Sequence, residues 1–310
     1  MHFLFPLIAA IIWGGNTIIT KLCAETLSPV EISFYRWLLA VIVLTPFALK
    51  GVVRNPQLTR RVTGRLVVLG LLGGVVFQSI AYYAAHYTTA TNMGIMQALV
   101  PLFALVLAML ILRHKTSTGA LLGLAISIGG VIVVVSKGDV GALAHQGLNR
   151  GDALMLIGVL SFSLYSLLLN KWQLPIPLIQ SAYIQALVAT LALLPVYLLG
   201  ARHQLTAIDG FYIAFAGIGA SIMAPLLWMT GIARLGAARV SLFFNLVPVV
   251  TALLATVFLG ERLTASVLLG GLLAIAGVVL AEVRKTPAAP VKAPVTAPGN
   301  AARSAATPPQ

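Results

Sequence analysis

The chain has 310 residues, of which 59% are hydrophobic and only 9% charged, and its mean hydropathy is +1.00. That composition excludes a soluble globular domain, which needs a charged shell around its core. The 20 Lys+Arg against 7 Asp+Glu give a net charge of +13, yet no soluble basic face interleaved with aromatics exists to grip a nucleic acid.

Apolar stretches of about 20 residues, enough to cross roughly 30 Å of hydrocarbon as helices, recur along the chain. Cutting at charges, Gly/Pro clusters and polar runs predicts an all-α polytopic membrane protein with ten spans: 3–22, 30–49, 64–86, 90–112, 117–136, 152–171, 178–199, 209–233, 238–259 and 264–283. The first carries Trp13, Asn16 and Thr17 in mid-span, and it lacks the basic segment of a signal peptide. The second opens on Ser28-Pro29-Val30-Glu31, a capping box with Pro at the first helical position. Arg36 follows two turns in; snorkelling, a salt bridge to Glu31 or Glu25, and a hold on a substrate carboxylate are its alternatives.

The third span places Gln78 and Tyr82 four residues apart on one face, and the fourth does the same with Met93, Gln97 and Pro101. The sixth offers Ser161 and Tyr165, the eighth Trp228, and the ninth Ser241, Asn245 and Pro248. Polar and aromatic side chains in mid-span suit a cavity between helices, so the candidate substrate-binding set is Trp13, Asn16, Gln78, Tyr82, Gln97, Tyr165, Trp228 and Asn245. Pro101 and Pro248 are candidate hinges, because proline frees a carbonyl and kinks a helix. The glycine pairs 14–15, 73–74, 129–130 and 270–271 would permit close helix contact. Between the last two spans, Glu261 and Arg262 read as a hydrated hairpin turn, with Gly260 ending one helix and Thr264 starting the next. Cys23 is the only cysteine, which leaves no disulfide and no thiolate cluster, so neither metal nor cofactor is expected.

The chain repeats itself. A shift of 147 residues carries Leu99-Val100-Pro101 onto Leu246-Val247-Pro248, and Gly123 and Gly130 onto Gly270 and Gly277. Five spans per copy is an odd number, so the second copy enters the membrane from the opposite side. Such inverted-topology repeats build secondary transporters, with a shared site near the midplane. The expected organisation is a first five-helix repeat over 1–136, a connection at 137–151, a second five-helix repeat over 152–283, and an Ala/Pro-rich disordered tail at 284–310. With both termini in the cytoplasm, 14 of the 20 basic residues fall inside, which sets the orientation.

The stretches "WGGNTIITK" (13–21), "SPVEISFYRW" (28–37) and "LVPVVTALLATVFLGERLTASVLLGGLLAIAGVVL" (246–280), with the duplicated halves, resemble the EamA-type transporters of the drug/metabolite transporter superfamily. The resemblance implies ten helices around a central cavity and export of small metabolites across a bacterial inner membrane. The chain is similar to the aromatic-amino-acid exporters of that family, while drugs, nucleotide or sugar metabolites, or a channel-like pore are the alternatives. His114 stands where the family often has the acid of a "GE" turn in the first copy.

All seven acids and all five histidines fall in loops or near span ends. Proton-coupled carriers hold an ionisable group within the bilayer, so facilitated transport down the solute's own gradient is expected. No HExxH motif, paired intramembrane aspartates or Ser–His pairing argues for an enzyme. The expected partners are a small-molecule substrate and membrane lipid, with no nucleic acid, and the expected state is a monomer.

Overall fold

The computed structural model describes residues 2–54, 56–113, 117–139, 141, 149–201, 203–235, 240 and 243–283. The predicted tail, most of the 137–151 connection, His114 and Ser241 lie outside the described residues. Among those described, every regular element is helical.

In chain order these are α1 (Leu4–Cys23), α2 (Pro29–Arg54), α3 (Pro56–Leu69), a first π-helical segment (Gly70–Phe77), α4 (Gln78–Ala84), α5 (Ala90–Gln97), α6 (Val100–Leu112) and α7 (Thr118–Val135). Then come α8 (Arg150–Trp172), α9 (Leu178–Leu199), α10 (Ala207–Ala214), a second π-helical segment (Phe215–Met223), α11 (Ala224–Leu235), α12 (Leu246–Leu259) and α13 (Ala265–Val283). Joined where they are continuous, eight stretches are long and apolar enough to cross a membrane, and two shorter apolar helices follow at Leu246–Leu259 and Ala265–Ala281. This is the build of a multi-pass helical membrane protein.

Four predicted spans differ from the helices found, the ninth in that α12 begins only at Leu246. The third starts at Pro56 rather than 64, since Arg61 and Arg65 ride its exposed side while Val62, Leu66 and Leu69 are buried on the other. A cut at charges misses such a snorkelling first turn. The fourth is two helices, because Pro101 has no N–H to donate to the Gln97 carbonyl and its ring would clash there. α5 therefore stops at Gln97, and α6 begins with proline in its first turn. The third and eighth spans each contain a π-helical turn, at positions that correspond under the 147-residue shift.

Packing is reciprocal under that same shift. α7 crosses α13 so tightly that a Cβ on Gly123 would sit 2.5 Å from the Gly277 carbonyl oxygen, and one on Gly270 would sit 2.5 Å from that of Gly130. Each glycine thus meets the counterpart of the other glycine on its own helix, and the two helices run antiparallel. Ser127 donates to the Ala274 carbonyl, its own counterpart, at 2.9 Å between the two glycine contacts. α2 and α9 cross likewise: Tyr35 meets Tyr197 at one end, and Gly51 meets Gln180 at the other. α1 packs on α12 and α11, as its counterpart α8 packs on their counterparts α6 and α4. Gly129, by contrast, has open space where its Cβ would be, so the pair 129–130 contributes one contact glycine and not two.

Candidate functional site

The predicted residues divide into three groups. Trp13, Trp228 and Phe244 form an aromatic cluster, with ring centroids 5.3 Å apart for the two tryptophans and 5.8 Å for each to Phe244. Beside it, Gln97 donates to the Thr17 hydroxyl at 3.3 Å. Asn16 Oδ1 and Asn245 Nδ2 are buried without a partner among the described residues, one an acceptor and the other a donor. Buried amide atoms left unpaired are costly, and Ser79 Oγ and Asp209 Oδ1 share that state. Asn245 occupies the break before α12, at the position that Ala98 holds before α6.

Gln78 and Tyr82 share a buried face of α4 as expected. The Tyr82 hydroxyl accepts from Arg36 at 3.2 Å, and Arg36 Nε donates to Ser221 Oγ at 2.7 Å. Tyr165 belongs elsewhere: it stacks on Phe162 at 5.2 Å, which in turn packs on Phe77 at 4.7 Å. Period alone places a residue on a helix face and cannot say which neighbour that face meets.

The two π segments organise this centre. A wider helical turn leaves carbonyls without regular partners, and neighbouring side chains take them. Trp13 Nε1 donates to the Ala220 carbonyl at 3.2 Å, Trp37 Nε1 to that of Gly74 at 2.8 Å, and Ser161 to that of Leu72 at 3.0 Å. Arg36 and Trp37 thereby reach both segments from adjacent positions of α2. Neither Ser221 nor Phe244 was in the candidate set. Nothing in the sequence announces a π turn, which is the signal that would have found Ser221.

Of the alternatives for Arg36, the salt bridge to Glu31 or Glu25 is not formed. Glu31 keeps its capping box, accepting from the Ser28 backbone N–H at 3.0 Å, and it also takes the His203 backbone N–H and ring Nδ1, each at 2.7 Å. The turn at 261–262 is found, but Glu261 does more than face water. Glu261 reaches across to α5, accepting from the backbone N–H groups of Ala90 and Thr91 at 2.7 and 3.1 Å and from the Thr91 hydroxyl at 2.6 Å. It therefore caps the N-terminus of α5, where the helix dipole favours an anion. Gly260 does end α12 in the left-handed region at φ +64, as its position predicts.

Further ties meet at this end of the bundle. Lys21 donates to the Ala85 and Thr88 carbonyls at 2.5 and 2.9 Å, and Thr88 donates to Asp152. At the opposite end, Arg234 approaches His2 at 3.5 Å. A separate cavity of about 270 Å³ lies between α6, α7 and α8, lined by apolar groups including Leu99, Phe103, Val131 and Leu156. No predicted site residue lines it.

Many apolar crossing helices that enclose amides, an arginine and an aromatic cluster are the build of a protein that passes small solutes through a membrane. The sequence profile of the EamA-like transporter family matches twice, over residues 2–136 and 149–282, and the chain belongs to that family. It is 30% identical to the uncharacterized inner membrane transporter YedA of Escherichia coli (strain K12), over 94% of this chain and 96% of that one. It is 27% identical to the uncharacterized transporter YyaM of Bacillus subtilis (strain 168), over 88% and 90%. A solved crystal structure titled only as that of a protein superposes with a TM-score of 0.62 at 17% identity, covering 90% of this chain and 95% of that chain, and shares the fold.

Proposed function

We propose that this membrane transporter is a secondary carrier. It exports small metabolites, with aromatic or hydrophobic amino acids as the favoured class, across a bacterial inner membrane by alternating access. Two inverted five-helix repeats, ten spans in all, enclose one shared site, and both termini face the cytoplasm. The observation that carries this reading is the reciprocal packing at a shift of 147 residues, seen where Gly123 meets Gly277 and Gly270 meets Gly130. An antiparallel crossing of counterpart helices is what a two-fold axis in the membrane plane produces. The double family match over 2–136 and 149–282 supports the same division.

The ties around Glu31, Asp152 and Glu261 support a resting state closed at the outer end. The cluster of Trp13, Trp228 and Phe244 beside two unpaired amides supports a solute with an aromatic body and a polar head. The placing of every acid near a span end supports uniport, without a coupled proton.

Proteoliposomes test this reading with radiolabelled aromatic amino acids. A carrier gives saturable uptake and counterflow, whereas flux that rises linearly with concentration and shows no counterflow indicates a pore. An imposed proton gradient without a solute gradient should produce no accumulation; uphill uptake would refute uniport.

A further inference from the structure

Arg36 lies seven residues beyond the first residue of α2, about 10 Å into the helix at ~1.5 Å per residue, and it is 4% exposed. Its two bonds run to neutral hydroxyls, Tyr82 on the first half and Ser221 on the second. Among the described residues the ion pair is His203–Glu31, and no carboxylate pairs with Arg36. Hydroxyl dipoles hold a guanidinium in place without cancelling its charge. A buried cation that lacks a counter-charge is costly in a bilayer, and it is kept where function needs it.

Three further observations point to a ligand. Of the five N–H donors on the fork, the two bonds engage two. The repeat offers no scaffold reason for the charge, since the counterpart of Arg36 under the 147-residue shift is Tyr183, buried in an otherwise equivalent crossing. Arg36 also sits beside the aromatic cluster, because Trp13 bonds the Ala220 carbonyl one residue before Ser221.

We infer that Arg36 is the counter-ion for a carboxylate on the transported solute, held by the guanidinium fork at the seam between the halves and steadied by Tyr82 and Ser221. This deepens the carrier reading above and rests on it. Planar two-point pairing with a carboxylate is what a guanidinium does best, and a lysine at the same place gives charge without the fork. The solute class is then a monocarboxylate with an apolar body, either an amino acid or a simple organic acid.

The test uses the full chain purified in detergent and its thermal unfolding with four probes: L-phenylalanine, L-phenylalaninamide, 3-phenylpropionate and 3-phenylpropanamide. The acids should raise the wild-type melting midpoint and their amides should not, and the better of the two acids identifies the class. Arg36→Gln should weaken the apparent affinity for acid by about tenfold or more, and Arg36→Lys by less. Should Arg36→Gln fail to fold, the acid-against-amide contrast in the wild type and the Arg36→Lys response decide. Equal response to acid and amide, no response to either, or undiminished acid binding in Arg36→Gln would each overturn the inference. Counterflow with the same probes separates the two readings. Arg36-dependent binding without flux would overturn the carrier and leave the site; flux of amides equal to that of acids would overturn the site and leave the carrier.

Discussion

Glu261 stands in the sequence as one acid beside one base between two apolar stretches, which suggests a wet turn. It is instead the N-terminal cap of a helix 170 residues away. Long-range capping is invisible to local rules, because the acceptor and the orphan donors it serves share no sequence neighbourhood. Glu261→Ala should lower stability in detergent by about 1–2 kcal/mol, the usual cost of losing a side-chain cap, read as a lower melting midpoint. Glu261→Gln, which keeps an acceptor, should lose less. Arg36 teaches the same lesson: its depth was legible from its place in α2, but its partners came from α4 and the second π segment. The local motif at Ser28–Glu31 was fully legible, since a capping box closes within four residues.

At the scale of elements, apolar length and proline position carried most of the information. The break at Ala98-Leu99 splits the fourth span two residues before Pro101, and α12 likewise begins at Leu246, two residues before Pro248. As a hinge proposal, Pro101→Ala paired with Pro248→Ala should slow transport severalfold with little loss of assembled protein; wild-type flux would refute it. The α7–α13 crossing makes a sharper prediction. Leu at Gly123 or Gly277 places side-chain atoms where the facing backbone already lies within 2.5 Å of a Cβ. Either substitution should cost at least about 1–3 kcal/mol through overpacking, seen as loss of a monodisperse peak in size-exclusion chromatography. Gly129→Ala, with open space around the Cβ, should be neutral in the same assay. The π turns escaped the sequence because these segments are apolar or small on nearly every face, so the phase shift of an extra residue leaves no mark in the pattern.

For the whole molecule, the repeat was the strongest signal in the sequence. Pro and Gly falling in register at a shift of 147 residues pointed to two halves, a reading that the reciprocal crossings of α2 with α9 and α7 with α13 support. The identity of the solute was not legible in the same way, since a buried centre is assembled from helices whose pairing no single helix encodes. The account depends on the two halves lying upside down relative to one another around that centre. With Cys23 replaced by serine, single cysteines at Arg60 and at Gln204, both exposed, can be labelled with a membrane-impermeant maleimide in intact cells and in inverted vesicles. The account predicts that the residue-204 cysteine reacts in intact cells and the residue-60 cysteine only in inverted vesicles. Reaction of both from the same side would contradict it.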